Sequence, residues 1–596
     1  ECVGATDMDY RDMYVSWGNG TSASHMRHVN DPSDNSVFIV WDEERDEVRS
    51  VFAQKLDRDG VPRWENNGVR VSDQGVTARN PDVAINTSGG AWFVWEQDTV
   101  GGIRVYYAEL DADGGYNTTP AKVDDDPVNP RTGDDKSPRV IDAYGHASVE
   151  DGCIVAFLND GSGDWIRYIA NPSVKDKANS IPDLNNGILS HDALLLERDY
   201  NGGCYLMTRG EDGNGTLRIN VTHATYSAGS WSAAPAEQNE QSTFSSASEM
   251  GGYDFCTDAF SPWGAAHHLM IAYSTRHPGK GMDIYVQRYD PTQMSAIAAG
   301  VPIYATIHVD DDHINPSVTP DSTLWGSGYG GGYLLAWNMG YYPQPGTRRN
   351  VVATTQIGWY TPSVPDIPVI FFTVSGELPE ETNPDIARPS NIAPGLPDRS
   401  FIVWEGGYET SSCTPPRPVE IYAQYADYYT SYPLWQSDEM VSPGGGNYTQ
   451  RKPIVSTSYL HSVSCYWIDD RAGTEGIFGA RVTDAGGSIG WFKAPVIKRV
   501  KRGAPERPII VYAYPNPVTG SSREARVSAC YSDDCRVEIG VFDILGRSVV
   551  MPAAYVAVKG ENIYAVRMPL DCPAGTYYIQ IRSPYGLNVK PVTFIR

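Results

Sequence analysis

The sequence predicts an all-β chain: a β-propeller of about eight four-stranded blades followed by a small Ig-like β-sandwich. Three observations predict it. One apolar run ending in a large side chain, usually aromatic, recurs eight times. A second strand-like register follows most copies. The composition then changes near residue 498.

The recurring run is Val37-Phe38-Ile39-Val40-Trp41, then Trp92-Phe93-Val94-Trp95, with further copies ending at Phe157, Met207, Tyr273, Trp337, Trp404 and Trp467. Successive ends are 54, 62, 50, 66, 64, 67 and 63 residues apart, and the run at Met207 matches least well. Short, unbroken, β-rich apolar runs read as strands buried on both faces. The second register is Val51-Phe52-Ala53-Gln54, Val105-Tyr106-Tyr107-Ala108, Ile284-Tyr285-Val286-Gln287, Ile421-Tyr422-Ala423-Gln424 and Ile477-Phe478-Gly479-Ala480. Upstream, an X-Pro-X-Val or X-Pro-X-Ile element at Pro81, Pro138, Pro316 and Pro453 precedes the terminal aromatic by 14, 19, 21 and 14 residues. Proline is tolerated at the first residue of a strand, so this element reads as the opening of each unit. Turns such as Asp57-Arg58-Asp59-Gly60 and Asp111-Ala112-Asp113-Gly114 lead from the third strand to a fourth, with glycine supplying positive φ. The units resemble the Trp-Asp-Glu-Arg…Trp propeller repeats of bacterial secreted proteins, best copied in Trp41-Asp42-Glu43-Glu44-Arg45 through Trp64. The apolar segment Met13-Tyr14-Val15-Ser16-Trp17 precedes the first unit and is expected to supply the strand that closes the ring.

The domain division expected is a propeller over 1–496, a basic linker over 497–511 and a sandwich over 512–596. Residues 498–596 carry 14 Lys+Arg against 8 Asp+Glu, a balance of +6, so the rest of the chain stands at -32 within a net charge of -26. Strand-like segments follow the linker at 525–531, 537–543, 562–570, 575–582 and 589–595, which suits a small antiparallel sandwich. Tyr514-Pro515-Asn516-Pro517, Val541-Phe542-Asp543-Ile544-Leu545-Gly546-Arg547 and Pro573-Ala574-Gly575-Thr576-Tyr577-Tyr578-Ile579 occur there in order. Together they resemble the C-terminal sorting domain of type IX secretion substrates. The resemblance implies export across an outer membrane and an extracellular or bacterial cell-surface address. It makes Pro515, Asn516, Pro517, Asp543, Gly546, Arg547, Gly575 and Tyr577 the sorting-motif residues. Gly546 and Gly575 fit turns that a Cβ would crowd.

Composition excludes other classes. An acidic chain lacks the basic surface that nucleic-acid phosphates require, and no apolar run reaches the ~18 residues of a membrane span. The chain opens at Glu1 without a charged segment followed by an apolar one, so any signal peptide is expected to have been removed. Nine cysteines show no CxxC spacing. Cys530 and Cys535, flanking Ser532-Asp533-Asp534, are expected to close a small hairpin as a disulfide, and Cys413 with Cys465 forms the next candidate pair.

No GxSxG, HExxH or Walker A motif is present, and His267-His268 is the only adjacent histidine pair. Two acidic triplets, Asp124-Asp125-Asp126 and Asp310-Asp311-Asp312, offer oxygen ligands of the kind Ca²⁺ takes, against the alternative of solvated loops. Asp57/Asp59 and Asp111/Asp113 pose the same choice. The 37 tyrosines suit stacking on surface glycans or protein partners as well as strand propensity. The opposite charges of the two parts favour docking within one chain or head-to-tail assembly into a homo-oligomer or filament. With no catalytic motif in view, the reading favours a non-enzymatic binding or structural protein of the cell exterior. The alternative is a carbohydrate-active propeller enzyme, a glycoside hydrolase or lyase, built on carboxylates that the sequence alone does not single out.

Overall fold

The computed structural model describes the strands and bordering turns between residues 13 and 595. Outside the description lie 1–12, 17–21, 124–132, 144–151, 181–187, 236–248, 258–268, 277–281, 303–311, 367–371, 375–379, 388–398, 408–418, 442–448, 490–508, 543–547 and 568–572, with shorter stretches in other loops. The chain forms two compact units, one essentially 14–489 and the other 490–596.

The larger unit is all-β and of propeller type. Its described residues form eight antiparallel sheets that follow one another in chain order, beginning at Ala23, Ala78, Asp135, Ile188, Glu249, His313, Glu380 and Gln450. In each, successive strands pair with their sequence neighbours. The eight recurring runs all lie on second strands, and the downstream register lies on third strands. Strand Met13–Ser16 pairs with Gly476–Thr483, the third strand of the eighth sheet.

Burial on both faces explains the composition of the second strands. Trp41, Trp95, Trp337, Trp404 and Trp467 are among the largest fully buried side chains. Each pair of neighbouring sheets from first to eighth shares one apolar cluster: Phe38, Val40, Phe93 and Trp95 join the first two, and Val403, Tyr425, Val455 and Trp467 the last two. The first strands of successive sheets are in contact, and that of the eighth, Gln450–Thr457, meets that of the first, Ala23–Asn30. There His28 and Tyr466 hold their rings 6.4 Å apart.

The X-Pro-X-Val element is not the opening of a strand. Pro81, Pro138, Pro316 and Pro453 are each the fourth residue of a first strand, and the pairing register shifts at that point in every case. The element is a β-bulge, whose extra residue has no ladder partner, so a missing N–H costs nothing there. The preceding residue takes almost the same left-handed φ each time: Asn80 50°, Ser137 51°, Asn315 52° and Lys452 52°. Asn383, before Pro384, is a further copy at 50°, and His25 has 48° without a proline. In the fifth sheet the register shifts between Met250 and Tyr253, and a Cβ on Gly252 would stand 2.7 Å from Asn315 Cα.

The residue after the run-ending tryptophan explains the bulge. Asp42, fully buried, accepts the Asn80 N–H at 3.0 Å, and Glu96 accepts the Ser137 N–H at 2.8 Å. Asn338 and Glu405 take the N–H groups of Asn383 and Lys452 in the same way. The bulge side chain then bonds within its own sheet: Asn80 Nδ2 donates to Glu96 at 2.8 Å and Asn383 Nδ2 to Glu405 at 2.9 Å. One polar residue thus bridges two bulges on neighbouring sheets. The residue one further on returns to the tryptophan face, as strand alternation requires. Glu43 and Gln97 accept the indole N–H of Trp41 and Trp95 at 2.9 and 3.0 Å.

The smaller unit holds two sheets. Strands Ile509–Tyr514, Glu524–Tyr531 and Gly560–Arg567 form one. Val518–Thr519, Cys535–Phe542, Ser548–Ala557, Gly575–Ser583 and Gly586–Ile595 form the other. Val527, Tyr564 and Val566 of the first share a core with Val541, Ile579 and Phe594 of the second. The five expected strands are present within a residue or two or three at their ends, and 509–514, 518–519 and 548–557 are additional. Cys530 and Cys535 lie on strands of different sheets and not on the two arms of one hairpin; residues 532–534 between them are outside the description. Cys465 is a free, buried thiol, as are Cys153 and Cys204. This departs from the expected pairing with Cys413, which lies outside the described residues.

Burial pushes the Asp42 carboxyl up, but hydrogen bonds from His25 and Ser24 and the charges of His25 and Arg49 outweigh it and hold the group below its ordinary range. Asp42→Ala strips the partner from Asn80 N–H, Ser24, His25 and Arg49 together. It is expected to cost about 3–5 kcal/mol, read by denaturant unfolding, with Asp42→Asn costing less. Because the folded pKa lies below the unfolded one, this stabilisation is complete above about pH 4. It disappears as pH falls through the folded value.

Candidate functional site

One level of the first strands lies just past the bulge, at the residue that follows it or, in the fifth sheet, one position further on. Arg27, Asp82, Arg139, Asp254, Ser317, Asp385 and Ile454 each pair with the residue just before the aromatic end of the run: Val40, Val94, Ala156, Ala272, Ala336, Val403 and, in the eighth sheet, Tyr466. The fourth sheet differs in register, with its bulge near His191 and Leu195 opposite Met207. Because the first strands adjoin one another around the unit, this level is a belt of mostly charged side chains in an otherwise apolar framework.

Charges in the belt act on one another across sheets. The Arg27 charge, from the first sheet, acts on Arg139 of the third, Asp254 of the fifth and Asp385 of the seventh. Burial pushes the Asp254 carboxyl up to about 7; Asp385 adds to the shift, while N–H bonds from Val318 and Phe255 and the Arg27 charge oppose it. Burial likewise raises Asp385 against bonds from Val455, Ser317 and Ile386. Burial, then the like charge of Arg27, lowers Arg139 to about 10.

The carboxylates are held by the next sheet round. Asp82 Oδ2 accepts Val140 N–H at 3.0 Å, Asp254 Oδ2 accepts Val318 N–H at 2.9 Å, and Asp385 Oδ2 accepts Val455 N–H at 2.7 Å. Ser317 Oγ and Ile386 N–H donate to Asp385 Oδ1 at 2.8 and 3.0 Å. Each therefore has a fixed orientation, as a positioned acid or base requires. A carboxyl that keeps its proton to about pH 7, set near a second carboxyl and the Arg27 guanidinium, can protonate a leaving oxygen. Nearby at the bulge level, His25 Nδ1 lies 2.7 Å from Asp42 Oδ2.

The site residues expected from sequence lie elsewhere. Asp124, Asp125, Asp126, Asp310 and Asp311 are outside the described residues. Asp312 accepts the Met282 N–H at 3.0 Å. Asp111 Oδ1 accepts the N–H groups of Asp113 and Gly115, so it builds its turn. No group of metal-ligating side chains occurs among the described residues. Pro515, Asn516, Pro517, Asp543, Gly546, Arg547 and the pair His267-His268 are outside the description. Tyr577 is buried, with its hydroxyl donating to Pro573 O at 2.7 Å. The belt was within the X-Pro-X-Val element all along: Asp82, Arg139 and Ser317 are the second X, the polar position in an apolar strand.

No protein-family model matches the chain, and no curated protein is significantly similar to it. Solved structures resemble it in fold. The α-L-arabinanase of Penicillium chrysogenum is 10% identical, with 68% of this chain and 92% of that one covered, at a TM-score of 0.33. A PL25 ulvan lyase is 10% identical over 70% and 96%, at 0.37. The GH93 α-L-arabinofuranosidase of Fusarium graminearum is 10% identical over 80% and 98%, at 0.33. These neighbours are carbohydrate-active enzymes, so the comparisons run against the expectation of a non-enzymatic surface protein. At such identities and scores the likeness is one of fold, and the chemistry must be argued from the belt itself.

Asp254 and Glu197 are both raised to about 7, mainly by burial. Each folded pKa exceeds its unfolded value, so the native state binds more protons between about pH 4 and 7 and stability falls as pH rises across that window. Melting temperature followed from pH 4.5 to 8 should show this decline, and Asp254→Asn should remove part of it. An identical slope in the variant would contradict the assignment.

Proposed function

We propose that this chain is a carbohydrate-active enzyme that cleaves glycosidic bonds at the central belt of an eight-bladed propeller. The observation that carries the reading is the carboxyl pair Asp254 and Asp385, at one level of the first strands and near enough for Asp385 to act on Asp254, which is raised to about 7. In this reading Asp254 is the general acid, protonated when substrate binds. Asp385, with three hydrogen-bond donors upon it, carries the negative charge opposite. Two carboxyls at one site, one of them protonated to about pH 7, is an arrangement that glycoside hydrolysis uses.

The eight sheets are read as eight blades, because their first strands adjoin in sequence and the last meets the first. The pairing of Met13–Ser16 with the eighth sheet supports closure by the N-terminal strand. Residues 512–596 are read as an Ig-like sandwich that directs the enzyme to the cell exterior. The core shared by two sheets and the three ordered motifs support this.

Reducing-end release from a panel of neutral and acidic polysaccharides tests the activity. Asp254→Asn and Asp385→Asn are each expected to lower kcat by about 10²-fold or more, with melting temperature measured alongside. Wild-type activity should fall above about pH 7 as Asp254 loses its proton. Full activity in folded Asp254→Asn would sink the reading. The address is tested separately: residues 512–596 fused to a reporter should place it on the surface of a type IX-secreting host.

A further inference from the structure

The belt also holds two cations, Arg27 and Arg139, that proton transfer by Asp254 does not use. Arg27 is exposed on its first strand, and among the described residues it makes no hydrogen bond or ion pair. Arg139 is half-buried; its Nη1 donates to Pro138 O at 2.7 Å, while its buried Nε has no hydrogen-bond partner among the described residues. The belt carboxylates do not neutralise them by contact: Asp82, Asp254 and Asp385 are engaged by backbone N–H groups of neighbouring strands. Both sit at one level of the first strands, and Arg27 acts on Arg139 as a like charge, so the two guanidinium groups are near enough to share one anion.

We propose that Arg27 and Arg139 form an anion-binding subsite that selects saccharides bearing a carboxylate or a sulfate ester. A guanidinium presents its N–H donors as a planar fork that matches either oxyanion in two parallel hydrogen bonds. Arg27 supplies the open fork, and Arg139 a donor already stripped of water. The same belt carries Asp254 and Asp385, so an acidic sugar held by the arginines lies beside the proposed acid. This inference deepens the reading of the belt as a saccharide-cleaving site and rests on it for the class of ligand.

The test uses the full chain carrying Asp254→Asn, so that binding is read without turnover, by calorimetry at two salt concentrations. The probes are oligogalacturonate, the same oligomer with carboxyls reduced, a sulfated galactan oligomer and its desulfated form. At least one anionic probe is expected to bind more than tenfold tighter than its neutral counterpart, and to weaken as salt rises. Which pair shows the difference separates carboxylate from sulfate. Adding Arg27→Gln should remove that preference, and Arg27→Lys should restore part of it. Arg27 is exposed and unpaired, so these changes are not expected to move the melting temperature. Equal binding of charged and neutral probes, no binding of any, or a preference unchanged in Arg27→Gln would overturn the subsite. The two readings fail separately. Arg27-dependent anion binding without cleavage by the wild-type chain would retain the subsite and reject the hydrolase. Cleavage of neutral glycans indifferent to Arg27 would do the reverse.

Discussion

The larger unit depends on a buried acceptor that two neighbouring sheets share. Near the start of six of the eight first strands the backbone turns left-handed for one residue, which costs free energy for any side chain other than glycine. The conformation persists because it aims the N–H of that residue at a polar side chain of the preceding sheet. Asp42 and Glu96 are nearly or fully buried, and such groups are tolerable only when their hydrogen bonds are satisfied. Bulge and acceptor therefore require each other. Neither is stable alone, and each sheet supplies one half of a contact that its neighbour completes.

This dependence also places the chemistry. A bulge ends with the strand re-aimed, so the next side chain points where regular alternation would not put it. Repeated round the unit, the device brings that side chain to one level on sheet after sheet. The position is free to vary because the bulge needs only backbone geometry and an acceptor from next door. Arg27, Asp82, Arg139, Asp254, Ser317 and Asp385 exploit that freedom, whereas Ile454 at the same level in the eighth sheet is apolar. The carboxylates serve twice, since Asp82, Asp254 and Asp385 also tie first strand to first strand through backbone N–H groups. A group fixed in this way needs little reorganisation when charge develops beside it.

The framework was legible in the sequence because burial on both faces leaves a strong pattern. Runs such as Phe38-Ile39-Val40-Trp41 admit few readings other than a buried strand, and all eight lie at equivalent places. The prolines were legible too, but their meaning was not. A proline opening a strand and one at a bulge look alike unless the hydrogen-bond register is known. That ambiguity hid Pro384 and its neighbour Asp385. The acceptors Asp42 and Glu96 resembled ordinary surface acids, because nothing local shows that their partners stand 38 and 41 residues on. The belt was illegible for the same reason. Arg27 and Asp385 are 358 positions apart, and only the order of the sheets brings their charges within reach of one another. The acidic triplets drew attention by being contiguous, whereas the groups that converge are single residues on separate strands. In the smaller unit, Cys530 and Cys535 suggested a hairpin by their closeness, but closeness in sequence fits a crossing between sheets equally well.

The pairing of Met13–Ser16 with Gly476–Thr483 has a kinetic consequence. Contacts within each sheet join residues a few tens of positions apart and can form as the chain lengthens. This one joins segments about 460 positions apart, so closing the intervening loop carries a large entropic cost and comes late. Until the eighth sheet exists, Met13–Ser16 has no ladder to join and Ala23–Asn30 has no neighbour on one side. A chain interrupted before residue 483 therefore presents two unpaired edges to whatever it meets, the condition under which strands pair between molecules. A chaperone that shields one end of the polypeptide while the other is still being made would act on that vulnerability.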